Sequence, residues 1–100
     1  MAIVIGYTVL ELRLHEAMSL KDKRQVVKSV IERVKRRYNV SITEVGEHDS
    51  PRMALLGVSC VGQSEAGCRR TLDNVAEYVY TSRPDAEVMP HVVEVVGVET

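Results

Sequence analysis

The spacing of apolar residues changes along this 100-residue chain, and the order of those changes restricts the fold more than any other sequence feature. Apolar residues two positions apart are typical of a β-strand with one buried face, whereas steps of three, four and seven are typical of an amphipathic helix. Two stretches have the helical spacing and four have the character of strands. Their order therefore leaves few ways to pack the chain.

The first strand and the first helix are clearly marked. Leucines at every second position from Leu10 to Leu14 alternate with charged residues, which predicts a strand over residues 2–14. A helix should run from an N-cap at Ser19 to Asn39, because serine accepts a hydrogen bond from the first turn and asparagine tolerates the left-handed end position. Its apolar stripe consists of Leu20, Val27, Val30, Ile31, Val34 and Tyr38.

The rest of the chain predicts three more strands and a second helix. The predicted strands cover residues 40–47, 52–62 and 87–99, and the helix runs from a cap at Ser64 to about Thr81. Pro51 follows polar residues and marks the turn between two of these strands. Pro90 is tolerable only near the start of the last strand or on a sheet edge, because proline has no N–H to donate.

The resulting order, β-α-β-β-α-β, is that of the ferredoxin-like α+β fold. Right-handed crossovers place both helices on one face of a four-stranded antiparallel sheet. We expect the last strand beside the first, and the third strand between the first and the second. Residues 1–100 should form a single domain, because the chain is short and contains no linker or internal repeat.

The formal net charge of −1 conceals an uneven distribution. Residues 21–37 hold eight lysines and arginines against Asp22 and Glu32, a net charge of +6, whereas residues 64–100 carry −4. Cations in the last helical turn compensate the helix dipole, but cations in the first turn are disfavoured there. The predicted phosphate-contacting residues are Lys21, Lys23, Arg24, Lys28, Lys35, Arg36 and Arg37. A solvated helix face is the alternative interpretation.

The aromatic residues limit how such a surface could bind RNA. The chain has no Phe or Trp, and its four tyrosines form no RNP-like motif on the first or third predicted strand. Base stacking on the sheet, as in the RRM, is therefore not expected. The composition does not exclude contacts between the basic helix and phosphates, because these depend on charge and shape.

Other features favour a cytoplasmic protein without a membrane span. No apolar run approaches the roughly 18 residues that a span requires, and the apolar start lacks the basic region and cleavage site of a signal peptide. Cys60 and Cys68 have neither CxxC nor zinc-finger spacing, which favours free thiols in a reducing compartment.

The sequence offers little catalytic chemistry. No phosphate-binding loop, nucleophile elbow or metal-protease motif is present, so we expect no catalytic residues, no metal site, no cofactor and no small-molecule substrate. A minor alternative is a polar cluster that brings His15 near Glu44, Glu47, His48 and Asp49. Because these residues lack metal-ligand spacing, we expect a protein that is not an enzyme.

A second hypothesis is a structural or regulatory homodimer without nucleic-acid binding. Both predicted helices cover one face of the sheet, yet apolar residues also occur on the other. Exposed apolar sheet surface usually marks an interface, and an edge strand can pair with its own copy. The predicted interface residues are Tyr7, Val9, Val93 and Val95.

The run from Ser19 to Asp49, followed by Ala54-Leu55-Leu56-Gly57-Val58, resembles the YlxP-like family of small bacterial proteins of unknown function. The resemblance covers essentially the whole chain and is most specific in the Ser-Leu-Lys-x-Lys-Arg opening of the first helix. It implies a ferredoxin-like fold and a role like that of a ribosome-binding factor, with rRNA or a ribosomal subunit as partner. Many members carry a Trp shortly after the residue that matches Asp49, where this chain has Ser50 and Pro51.

Overall fold

A computed structural model describes residues 2–99 of the protein. The elements in chain order are β1 (Ala2–Arg13), α1 (Leu20–Arg37), β2 (Ser41–Gly46), β3 (Met53–Gly62), α2 (Glu65–Ser82), β4 (Glu87–Val88) and β5 (Glu94–Glu99). The order of strands and helices agrees with the one expected from the apolar spacing, so the ferredoxin-like prediction is confirmed.

All the described strands belong to one antiparallel sheet with β1 at its centre. One edge of β1 pairs with β3, from Val4 opposite Gly62 to Arg13 opposite Met53, and β2 lies outside β3. The other edge of β1 pairs with both β4 and β5. The third strand therefore separates the first from the second, and the last part of the chain lies beside the first strand, as predicted.

The predicted strand over residues 87–99 is interrupted, so the sheet has five strands and not four. Met89 still donates its N–H to the Glu11 carbonyl oxygen at 3.0 Å, but Pro90 has no N–H with which to continue the ladder. Side chains replace the missing ladder bonds, because the Thr8 hydroxyl donates to the Val92 carbonyl at 2.8 Å and Arg69 donates to the Val93 carbonyl at 3.1 Å. Regular pairing resumes at Glu94.

Both helices begin at the predicted serine caps. The Ser19 hydroxyl accepts the Asp22 N–H at 3.1 Å, and the Asp22 carboxylate in turn accepts the Met18 N–H at 3.0 Å. The first bond satisfies an N–H of the first turn that the helix itself leaves free, and the second ties the residue before the cap to that turn. The Ser64 hydroxyl accepts the Gly67 N–H at the start of α2. α1 ends at Arg37, two residues before the predicted Asn39, because Tyr38 already has an extended backbone.

The core lies between the helices and one face of the sheet. Even-numbered residues of β1 and β3 point toward the helices, and Leu10 and Leu56 among them are fully buried. Val34 of α1 and Leu72 of α2 pack on them from above. The odd-numbered residues of both strands point to the opposite side of the sheet, which no described helix covers. We call that side the open face.

Candidate nucleic-acid interface

Seven cationic side chains of α1 are exposed and form what we call the cationic face. They are Lys21, Arg24, Lys28, Arg33, Lys35, Arg36 and Arg37. Six of them belong to the set predicted from the sequence. The addition is Arg33, which the sequence places one helical turn before Arg37 and therefore on the same side of the helix. From Lys21 to Arg37 these charges extend along about 24 Å of the helix axis.

Lys23 is the exception in the predicted set, because it is completely buried. Its Nζ donates to the carbonyl oxygens of Glu47, His48 and Met53, at 2.7, 3.3 and 3.2 Å, and lies 3.1 Å from Glu44 Oε2. An ammonium group has three protons to donate, so the three carbonyls match them and the carboxylate supplies the opposite charge. Lys23 therefore lies outside the surface that a polyanion could reach.

The helical periodicity of α1 contains the signal that would have placed Lys23 correctly. Val27, Val30 and Val34 follow it at intervals of four, seven and eleven residues, and all three are buried. At about 100° per residue these positions lie on one side of the helix. Glu44 points to the same layer, since it lies two positions after the buried Ile42 and therefore on the same face of β2.

The cationic face is not neutralised by neighbouring acids. None of its seven members forms an ion pair with any side chain that the structure describes, whereas Arg13, Arg69 and Arg83 each pair with a carboxylate. Asp22, the acid nearest in sequence to the first cations, uses its carboxylate to cap the helix. The cations at the start of α1 are therefore exposed and form no ion pair within residues 2–99.

The last turn of α1 also carries an aromatic contact with α2. The rings of Tyr38 and Tyr78 meet edge to face, with centroids 5.8 Å apart and planes inclined at 64°. The Arg37 Cζ lies 4.9 Å from the centroid of the Tyr78 ring. The sequence places Tyr38 on the apolar stripe of α1 but does not indicate this contact with Tyr78, which joins residues 40 positions apart.

The acidic and histidine residues considered for an enzymatic site are not brought together. His15 Nε2 lies 2.7 Å from Glu87 Oε1 in an exposed contact, whereas Glu44 faces Lys23 in the interior. Among the residues that the structure describes, no group of three His, Cys, Asp or Glu side chains is placed to hold a metal ion. The remaining histidine, His91, lies 2.9 Å from Asp73 Oδ1 on α2.

Cys60 and Cys68 are free, buried thiols that lie near each other where α2 crosses β1 and β3. Desolvation raises the pKa of the Cys60 thiol to about 11, and its contact with Cys68 adds to that shift. A thiol with a raised pKa is a poor nucleophile at neutral pH, because the thiolate is the reactive form. The two residues therefore act as small core side chains.

Only half of the predicted dimer interface lies on the open face. Tyr7 and Val9 do, and each is 47% exposed. Val95 pairs with Gly6, an even-numbered residue of β1, so it points toward the helices, and Val93 is buried in the core. The prediction for Val93 and Val95 is wrong. After the interruption β5 pairs with β1 in a register that places Val95 opposite Gly6 and Glu94 opposite Tyr7, so Val95 lies on the helix side. The exposed apolar residues of the open face are Ile5, Tyr7, Val9, Val45, Val61, Val96 and Val98.

The sheet order and the two helices on one face define a ferredoxin-like α+β protein. A de novo designed protein with a ferredoxin fold, solved by solution NMR, is similar in structure with a TM-score of 0.59 and 19% identity, covering 90% of this chain and 84% of the designed one. No helix in the described part of the chain is both long enough and apolar enough to cross a membrane.

The chain belongs to the family described as "Protein of unknown function (DUF503)", whose sequence model matches residues 5–92. It is 33% identical over 84 residues to the "Uncharacterized protein YlxP" of Bacillus subtilis (strain 168). The matched region covers 84% of this chain and 90% of that protein. The resemblance to the YlxP-like family is thereby confirmed.

Proposed function

We propose that this protein is a non-enzymatic, cytoplasmic RNA-associated factor, with rRNA or a ribosomal subunit as its partner. The observation that carries this proposal is the cationic face, in which seven exposed Lys and Arg side chains have no ion-pair partner among the described residues. Surface cations commonly lie near acids, and a group of exposed cations without ion pairs favours a partner that supplies the negative charge.

The arrangement suits contacts with phosphates more than readout of base edges. Lys21, Arg24, Lys28 and Lys35 lie within about 60° around the axis of α1, so they form a row along one flank. Lysine and arginine on such a row neutralise phosphates and release counterions, which makes affinity strongly dependent on salt. Contacts of this kind fix position on the nucleic acid and carry little sequence information.

Single charge reversals on α1 test this proposal. Arg24→Glu and Lys28→Glu should each weaken retention on rRNA and on purified ribosomal subunits at low salt. Each should also reduce the slope of log K against log salt by about 0.7–0.9, the value for one lost phosphate contact. Arg70→Glu is the matched control, since Arg70 is exposed on α2 and also forms no ion pair with a described side chain.

The proposal is refuted if Arg24→Glu and Lys28→Glu leave both the retention and the salt slope unchanged. That result would favour a solvated helix face. A loss of equal size in Arg70→Glu would also count against it, because binding would then follow net charge and not the cationic face. Fractionation of a lysate on a sucrose gradient then asks whether the wild-type protein travels with a subunit, as expected for a ribosome-associated factor.

The open face favours a second candidate function, a homodimer module. Its seven exposed apolar residues extend across β2, β3, β1 and β5. From strand spacing and residue rise, the patch covers roughly 15 × 20 Å, or about 300 Å², which is at the lower end of patches that mark interaction sites. A second copy is the proposed occupant, because it would present an equally apolar face. An interface of this size predicts a weak, concentration-dependent dimer.

A further inference from the structure

The end of α1 combines an exposed guanidinium with an aromatic support. Arg37 is exposed, and its Cζ lies over the Tyr78 ring at 4.9 Å from the centroid. Tyr78 is half-buried and is held from the side by the edge-to-face contact with Tyr38. The Tyr38 hydroxyl donates to the Asn74 carbonyl on α2 at 3.4 Å. The support under Arg37 is therefore anchored to both helices.

Packing of the helices does not require a cation at this position. The Tyr38–Tyr78 contact already joins α1 to α2, and Lys35 and Arg36 in the same last turn already compensate the helix dipole. Arg37 forms no ion pair with a described side chain. The Arg37 side chain therefore contacts the Tyr78 ring while the residue as a whole stays exposed.

A guanidinium supported in this way has the properties of a base-stacking platform. Unpaired nucleobases stack on aromatic rings and on the planes of arginine side chains, and such stacking is tolerant of sequence because every base has a π-face. Lysine lacks the planar group, so the position distinguishes arginine from lysine. Arg33 and Arg36, both exposed, lie within one helical turn of Arg37 and can meet the phosphates on either side of a stacked base.

We propose that Arg37, seated on Tyr78, is a stacking site for one unpaired base of single-stranded RNA. This inference rests on the proposed RNA-binding function and adds a preference for unpaired over paired RNA. In a duplex the bases are already stacked on each other and the base faces are not accessible. The cationic face therefore supplies contacts with either form of RNA, and the Arg37–Tyr78 pair supplies a contact with the unpaired form alone.

Arg37→Lys tests the inference, because it keeps the positive charge and removes the plane. The probes are a fluorescent single-stranded RNA of about ten nucleotides, its duplex with the complementary strand, and inorganic polyphosphate as an anion without bases. We expect the wild-type protein to prefer the single strand. Arg37→Lys should weaken single-strand binding about tenfold, within the range of one lost stacking contact, and leave duplex and polyphosphate binding unchanged.

Arg70→Lys is the matched control, since Arg70 is an exposed arginine outside the cationic face and lies over no aromatic ring in the described structure. It should leave all three affinities unchanged. Tyr78→Phe keeps the ring and should behave like wild type, which separates support by the ring from any role of the hydroxyl. Circular dichroism and the urea midpoint check that each variant is folded.

The outcomes separate this inference from the function on which it rests. If Arg37→Lys and Arg70→Lys have equal effects, or if wild type binds the single strand no better than the duplex, the stacking site is refuted. The proposed function survives that result as long as Arg24→Glu and Lys28→Glu still lose binding. If those two reversals leave binding to both RNAs intact, the proposed function fails together with the inference.

Discussion

Lys23 joins the first turn of α1 to the turn between β2 and β3. Its three carbonyl acceptors lie in and beside that turn, where Glu47 has a positive φ of 59°. A positive φ is uncommon for a residue other than glycine, so the lysine stabilises a backbone conformation that the sequence does not otherwise favour. The buried charge is tolerated because Glu44 and the three carbonyls surround it.

At the residue scale, Lys23→Met should destabilise the protein. The substitution leaves the Glu44 carboxylate, whose side chain is only 21% exposed, without its counter-charge. It also removes the lysine donor from three carbonyls, of which that of Glu47 still accepts the Ser50 N–H. Removing one partner of a buried ion pair typically costs about 3–5 kcal/mol. The measurement is the free energy of unfolding from urea titration at neutral pH.

Lys21→Met is the control for this experiment. Lys21 also lies in the first turn of α1, but its side chain is exposed and unpaired with any described side chain, so the change should stay within about 0.5 kcal/mol. Equal free energies of unfolding for the two variants would show that the contacts of Lys23 with the three carbonyls contribute nothing to stability. The contrast matters for function as well, because Lys21 belongs to the cationic face and Lys23 does not.

At the element scale, α2 lies unusually close to β1 at Gly6. A Cβ added to Gly6 would lie 3.0 Å from the Cβ of Cys68 and 3.1 Å from Cδ1 of Leu72. Both neighbours are buried members of the core. Glycine at this position therefore sets how closely the helix approaches the sheet.

Gly6→Ala should destabilise the protein by about 1–3 kcal/mol, the usual cost of forcing an extra methyl group into a packed core. Gly97→Ala is the matched control, since Gly97 is also a strand glycine but has no atom within 4 Å of the added Cβ. It should be neutral or slightly stabilising, because alanine loses less backbone entropy than glycine on folding. Urea midpoints measure both. A Gly6→Ala midpoint equal to that of Gly97→Ala would mean that α2 shifts without cost.

The features that the sequence predicted correctly are those encoded locally. Each helix cap and the apolar stripe of α1 depend on residues within one or two turns of the same helix. The positions of both helices therefore followed from the sequence alone, as the caps at Ser19 and Ser64 show. The break after Val88 begins at Pro90, which is visible in the sequence, but the segment from there to β5 is held by Thr8 and Arg69, which reach it from other elements. Such long-range contacts fix the register of β5.

The candidate sites also divide into residues that local sequence predicts and residues that long-range contacts place. The exposed cations of α1 follow from charge and helical period. The contact of Arg37 with Tyr78 requires the two helices to be placed side by side, and the assignment of Val95 to the helix side requires its pairing with Gly6. Neither relation is visible in a single sequence, because each joins residues far apart along the chain.

At the scale of the whole molecule, the charged and apolar surfaces lie on opposite sides. α1 and its cations belong to the helical layer, whereas Tyr7 and Val9 lie on the open face of the sheet. A copy packed against the open face would therefore leave both cationic faces accessible. The two proposed functions are therefore compatible, and we expect a substitution on one surface to leave the function of the other surface intact.

Self-association through the open face predicts that the mass of the wild-type protein rises with concentration. Sedimentation velocity from about 1 to 100 µM should detect growth from the monomer mass of 11.2 kDa toward a dimer. Tyr7→Lys should keep the protein monomeric over this range, because it places a hydrated charge in the centre of the apolar patch. Lysine is the suitable replacement here, since Tyr7 pairs with Glu94 across the sheet and an acid would add repulsion.

Tyr80→Lys is the matched control, because Tyr80 is 62% exposed on α2 and lies away from the open face. It should associate like wild type, and both variants should keep the wild-type salt slope for RNA, since neither touches the cationic face. A wild-type protein that remains at 11.2 kDa up to 100 µM would refute the dimer. If Tyr80→Lys and Tyr7→Lys abolished association equally, the contact would depend on net charge and the open face would lose its assigned role.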